Sequence, residues 1–297
     1  MSEQLRPRRS VLYMPGSNTR ALEKAKTLDA DCLILDLEDA VAPEEKAQAR
    51  KNVFDAVRGG GYGNRELIIR INAITSAWGE ADLEIAVSAN PDAILAPKVS
   101  TAADVFEIGQ RLDSAGAEAS LKLWVMMETP RAMLHAEEIA AAVNGPDGRR
   151  LKAFVMGTND LAKDTRARIL PGRQPMVSWL STCVAAARAY GLDIIDGVYN
   201  DFGNEEGFAE ECAQGRDFGM DGKTLIHPKQ VAPCNEIFAP SADEVAWAKT
   251  IIAAFDEPEN AGKGAIRIEG KMVELLHADM ARRTVAVAEA MAARAGA

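Results

Sequence analysis

The chain is poor in the residues that most directly announce chemistry. It has three histidines and four cysteines in 297 residues. His135, His227 and His277 are scattered, without H-x-x-x-H or mixed Cys/His spacing, so a zinc site has no ligand set. Cys32, Cys183, Cys212 and Cys234 lack C-x-x-C spacing, and Cys32 sits in an apolar run that predicts a buried free thiol. A reduced, cytoplasmic setting is expected. No histidine stands near Cys183 and no G-x-S-x-G occurs, which leaves no nucleophilic triad. The first candidate turn, "PGSN", is not the G-x-G-x-x-G of a dinucleotide fold. "GGGYG" (59–63) lacks the Lys-Ser/Thr of a P-loop and reads as a flexible loop.

Charge and hydropathy exclude more. Lys and Arg number 34 against 44 Asp and Glu, a formal charge of −10 with no dense basic run, which argues against a nucleic-acid partner. No apolar stretch approaches the ~20 residues that cross a bilayer. The polar start, "MSEQLRPRRS", does not read as a signal peptide, and none is expected.

What is present is a rhythm. Short apolar runs at 10–14, 32–37, 67–71, 93–97, 123–127, 153–156, 193–198 and 223–226 alternate with helix-period stretches such as 43–57 and 130–143. Strands apolar throughout, separated by helices, predict a parallel sheet covered by helices. Eight such units predict a (β/α)8 TIM barrel over residues 1–240 rather than an open sheet. Residues 241–297 read as a helix, a short hairpin and a final helix. This extension is too small for a core of its own and is expected to serve as a lid or oligomer contact.

Barrel enzymes carry their chemistry where strands end. Those positions hold Asp36, Glu38 and Asp39 after strand 2, Arg70 and Asn72 at strand 3, Lys98 after strand 4 and Glu128 after strand 5. Asn159 and Asp160 follow strand 6, Asp196 ends strand 7 and His227 follows strand 8. Helix capping is the alternative for Asp160, but Glu is a poor N-cap, so it explains Glu128 less well. Glu128 and Asp160 lie 32 residues apart, about one βα unit. Adjacent strands are ~4.8 Å apart, so two carboxylates at neighbouring strand ends can share one ion. Few protein ligands, all oxygen, suit Mg2+, which keeps several waters. Arg70 has two readings: a partner for Asp36 or Glu38, or a fork aimed at a substrate carboxylate or oxyanion, the second being favoured. Lys98 reads as an exposed loop lysine, since a Schiff-base role needs a desolvated site.

Taken together, "RSVLYMPGSN", "LDLEDAVAPEEKAQAR", "IIRIN", "APKVS", "MMET", "GTNDLAKD" and "TLIHPKQ" resemble the citrate lyase beta-subunit and malyl-CoA lyase family, relatives of the HpcH/HpaI aldolases. The likeness spans nearly the whole chain. "DGVYN", "CAQGRDFGMDGKTLIHP" and the tail bring it nearest the bacterial (3S)-malyl-CoA thioesterase branch. The resemblance implies that Glu128 and Asp160 bind magnesium and that Arg70 contacts the acid or oxyanion. It implies that Tyr13 and Lys24 line the CoA or substrate pocket, with Asn159, Ile226 and His227 nearby. Asp36, Glu38 and Asp39 would organise the mouth. In the lyases an Asp from the C-terminal segment of an adjacent subunit acts as acid/base; here the equivalent residue is Glu274. The expected activity is Mg-dependent hydrolysis of a short 3-hydroxyacyl-CoA ester such as malyl-CoA, in a homo-oligomer, a trimer or hexamer. The alternatives are carbon–carbon cleavage of malyl-, citramalyl- or citryl-CoA, a citrate lyase subunit acting with an acyl carrier, a CoA-independent pyruvate aldolase, or a CoA-ester binding protein without turnover.

Overall fold

The computed structural model describes residues 5–295 and resolves two compact units, residues 8–238 and residues 239–295 with 5–7.

In the first unit every predicted strand forms. They are β1 (Ser10–Pro15), β2 (Cys32–Asp36), β3 (Glu66–Arg70), β4 (Ala93–Ala96), β5 (Lys122–Met127), β6 (Leu151–Met156), β7 (Asp193–Asp196) and β8 (Gly222–Leu225). They close into a parallel barrel in sequence order, β8 returning to β1 through Ser10–Lys223 and Leu12–Leu225. Helices follow the strands, as a parallel sheet requires.

The side-chain period of two sorts each strand into an inner and an outer set. Leu33, Leu35, Leu123, Val125 and Met127 face outward into the large core shared with the helices. Val11, Cys32, Ile34, Ile68, Leu95, Trp124, Met126, Val155 and Ile195 fill the barrel interior. Each such buried large side chain contributes about 1.5–3 kcal/mol. The same alternation carries one residue further at the C-terminal rim: Tyr13 above Val11, Asp36 above Ile34, Arg70 above Ile68 and Glu128 above Met126. At the opposite end, Arg8 donates to both oxygens of Glu66 at 2.7 and 2.8 Å, pairs with Asp193 and lies over the Trp124 ring at 5.1 Å.

Two local readings are corrected. The 130–143 stretch is two helices, Pro130–Leu134 and Ala136–Ala141, because His135 leaves helical geometry at φ −116° and ψ 18°. "GGGYG" is anchored rather than free: Tyr62 is buried and its hydroxyl donates to the Leu22 carbonyl at 3.2 Å, while Gly60, Gly61 and Gly63 take positive φ.

The second unit contains the helix Ala242–Asp256, the antiparallel hairpin β9 (Ala265–Ile268) and β10 (Lys271–Glu274), and the helix Leu275–Ala295. Contrary to expectation, it buries an apolar cluster of its own: Ala248, Ile251, Phe255, Ile268, Val273, Ala278 and Ala281. The two helices pack on each other and on the hairpin, which is how so short a segment finds enough apolar surface. Ser241 and Glu244 form a capping box that starts the first helix. His277 Nδ1 accepts the Glu274 backbone N–H at 2.9 Å where the second begins.

Candidate active site

A cavity of about 310 Å³ opens at the C-terminal rim of the barrel. From the expected set it is lined by Tyr13, Asp36, Asp39, Arg70, Glu128, Asn159, Asp160 and Ile226. Lys24, in the helix Thr19–Ala25, is exposed and outside the wall. Glu38 and His227 are also outside it. The His227 ring stacks on Phe202 at 4.7 Å and its Nδ1 accepts from the Lys229 N–H at 3.2 Å. Glu274 belongs to the second unit. Ala40, Met126, Met156, Gly157, Thr158, Val198, Asn200 and Thr224 complete the lining and were not expected. The inward alternation of β5 could have given Met126. Asn200 exchanges amide hydrogen bonds with Asn159 at 2.8 and 3.1 Å, a pairing across loops that spacing does not reveal.

Glu128 is 1% exposed, and it is not a cap. Thr129 takes that role, its hydroxyl accepting the Ala132 N–H at 3.0 Å at the start of Pro130–Leu134. The acid is thereby left to the cavity. Close packing holds it: a Cβ on Gly157 would stand 2.3 Å from Glu128 Cβ and 2.6 Å from its Oε2. Asp160 lies in the first turn of Thr158–Thr165, which has no side-chain cap.

The structure brings Glu128 and Asp160 together around one ammonium. Lys98 Nζ is 3.3 Å from Glu128 Oε1 and 2.7 Å from Asp160 Oδ2, and the Lys98 backbone N–H donates to Glu128 Oε1 at 2.8 Å. Lys98 is thus not a free loop lysine. Burial pushes the Glu128 carboxyl above the usual carboxylate range despite this partner. Burial acts the same way on Asp160, but the Lys98 contacts and a hydrogen bond with Glu128 outweigh it and hold Asp160 low. Burial opposes the charge on Lys98, yet Glu128 and Asp160 keep its pKa raised.

Among the described residues no group of three or more His, Cys, Asp or Glu side chains could enclose a metal. The Glu128–Asp160 pair still fits a hard cation that retains most of its water. The donors are both carboxylates, they converge, and they already attract a positive group.

Arg70 is committed to the protein, by the partners that register predicts. Asp36 pairs with it across β2 and β3, and Nε and Nη2 each reach an Asp36 oxygen at 2.6 Å. Asp36 also accepts the N–H groups of Glu38 and Ala40, which shapes the loop after β2. The guanidinium lies over the Tyr13 ring at 4.7 Å. Arg70 Nη1 is 2.8 Å from Glu38 Oε2, but that oxygen has no aligned hydrogen bond. Burial therefore dominates and raises the Glu38 carboxyl to about 8, Arg70 opposing. Lys46 fastens the same loop, donating to the Leu37 and Glu38 carbonyls at 2.7 Å and to Asn72 at 2.9 Å.

Asp196 is fully buried below the rim. It binds Lys223 Nζ at 3.0 Å and Arg173 Nη1 at 2.6 Å, and Lys223 also reaches Glu211 at 2.6 Å. Burial raises the Asp196 carboxyl, but the two cations overcome it and hold it low.

A closed eight-stranded barrel with paired acids at its rim is the plan of a metal-assisted TIM-barrel enzyme. The chain belongs to the HpcH/HpaI aldolase/citrate lyase family, whose model matches residues 9–228. It is 51% identical to a (3S)-malyl-CoA thioesterase of Cereibacter sphaeroides, over 99% of both chains. It is 35% identical to the citrate lyase subunit beta of Escherichia coli, over 96% of this chain and 94% of that one. The crystal structure of protein CitE from Mycobacterium tuberculosis in complex with magnesium, acetoacetate and coenzyme A superposes with a TM-score of 0.74 at 29% identity, covering 94% of this chain and 97% of that one. Among the described residues no helix is long and apolar enough to cross a membrane.

Proposed function

We propose that this chain hydrolyses (3S)-malyl-CoA to malate and CoA. The observation that carries the reading is the 51% identity to a (3S)-malyl-CoA thioesterase from end to end, with the acid pair and Arg70 set in one cavity. Glu128 and Asp160 would hold Mg2+, in line with the magnesium in the CitE complex. Bound there, the ion supplies Lewis acidity and a template for the carboxylate and hydroxyl oxygens of the malyl group. Arg70, fixed by Asp36, gives the wall a preorganised positive charge near developing oxyanion charge. Asn159 and Asn200 hold each other's amides and orient polar groups of the ester. Glu274, from a neighbouring copy in a trimer or hexamer, takes a proton from the attacking water. The carbon–oxygen bond forms, the carbon–sulfur bond breaks, and the CoA thiolate takes the proton. Four buried, unbridged cysteines support a reducing compartment such as the cytoplasm.

The likeness to citrate lyase subunit beta favours a second reading, carbon–carbon cleavage in the same cavity. Malyl-CoA incubated with and without Mg2+ separates the two. Free thiol with malate is expected; glyoxylate with intact acetyl-CoA would mean cleavage, and no turnover of either would remove the proposal.

A further inference from the structure

The Lys98 ammonium stands between the two carboxylates that would hold a metal ion. Its Nζ touches Glu128 Oε1 and Asp160 Oδ2 at 3.3 and 2.7 Å. Two features aim it there. The Lys98 backbone is left-handed, at φ 59°, a conformation that non-glycine residues rarely adopt. That turn points the Lys98 N–H at Glu128 Oε1 and returns the side chain toward the same carboxylate. Magnesium requires oxygens at about 2.0–2.1 Å. An ion on the oxygens that the ammonium touches would be driven against a second cation. Two carboxylates and the ammonium leave one net negative charge. Adding a dication with the lysine in place would leave a net positive charge in a half-buried cleft, whereas withdrawing the lysine leaves the cluster neutral. The Lys98 side chain is 39% exposed, so it can swing into water without opening the core.

We propose that Lys98 is a tethered competitor for the divalent-cation seat. It bridges Glu128 and Asp160 in the metal-free protein, leaves when the ion enters, and so sets the metal affinity. The proposal rests on the reading of Glu128 and Asp160 as the metal-holding pair. Lys98 acts through those residues and is a positioning residue.

The test is Mn2+ binding to the full chain, followed by the electron paramagnetic resonance of the free ion, with thermal unfolding of the metal-free and Mn2+-saturated forms. Lys98→Met should bind Mn2+ at least about fivefold more tightly than wild type. Its metal-free form should melt lower, with two carboxylates left facing each other, and should gain more on saturation. Lys98→Asn accepts a left-handed backbone and should behave alike, which covers misfolding of the first variant. Affinity equal to or weaker than wild type in both variants overturns the proposal; if Glu128→Gln then abolishes binding, the metal pair stands without it. Wild type that binds no Mn2+, or Glu128→Gln that binds it normally, removes the metal pair and this proposal together.

Discussion

At the scale of single residues, the site is a set of acids whose environments drive them apart. Asp160 is held ionised beside Lys98, while Glu128 is more buried and harder to ionise. Glu128→Gln and Asp160→Asn should each weaken Mg2+ binding and lower turnover by about 100-fold or more, the melting temperature staying close to wild type. Calorimetric titration and initial rates check both. Glu38 offers a sign test. Its folded-state pKa of about 8 exceeds the ordinary carboxyl value of 4.5. The folded protein keeps this proton while the unfolded chain has lost it, so the metal-free protein should lose stability as pH rises from about 4.5 to 8. Glu38→Gln should flatten that slope in denaturant unfolding measured across the range; an unchanged slope would assign it to other groups. Most of these acids are legible in the sequence because the β period extends beyond the core. Trp124, Met126 and Glu128 share one face, so an acid at the next inward position had to meet the rim. Lys98 was not legible as a partner, since its orientation depends on a left-handed turn at a residue with no glycine-like signature.

At the scale of elements, strand ends and the turns behind them set how closely the acids approach. Gly157 follows β6, and a methyl there would overlap Glu128. Gly157→Ala should destabilise by about 1–3 kcal/mol and reduce turnover by about 100-fold through displacement of Glu128. Differential scanning calorimetry and kinetics should find both effects together. The buried charges at β7 and β8 do different work. Lys223→Met would leave Asp196 and Glu211 with Arg173 as the nearest remaining cation, at a cost of about 3–5 kcal/mol in chemical unfolding. The sequence offered Asp196 as one more rim acid. Its buried partners Lys223 and Arg173 come from 27 residues later and 23 earlier, a distance over which spacing carries no contact information.

At the scale of the whole molecule, the eight strands were legible because each is short, apolar and bounded by turn residues. The independent core of the extension was not, because its cluster joins residues from two helices and a hairpin that meet only in the folded chain. The proposed neighbour-supplied Glu274 has a direct consequence. Glu274→Ala and Glu128→Gln should each be inactive as pure oligomers. Mixed, dissociated and reassembled, they should regain activity that neither has alone, because some sites draw an intact acid from each copy. Light scattering would fix the size of the assembly, and failure of the mixture to recover would place Glu274 within its own chain's site or outside the mechanism.

The division of labour between Glu128 and Thr129 reaches beyond catalysis. Anchorage of the helix start is vested in the threonine, so the neighbouring position is free to change without unravelling the scaffold. A chain carrying glutamine at 128 should therefore persist as an intact but idle receptacle, suited to trapping an uncleaved ester for crystallography.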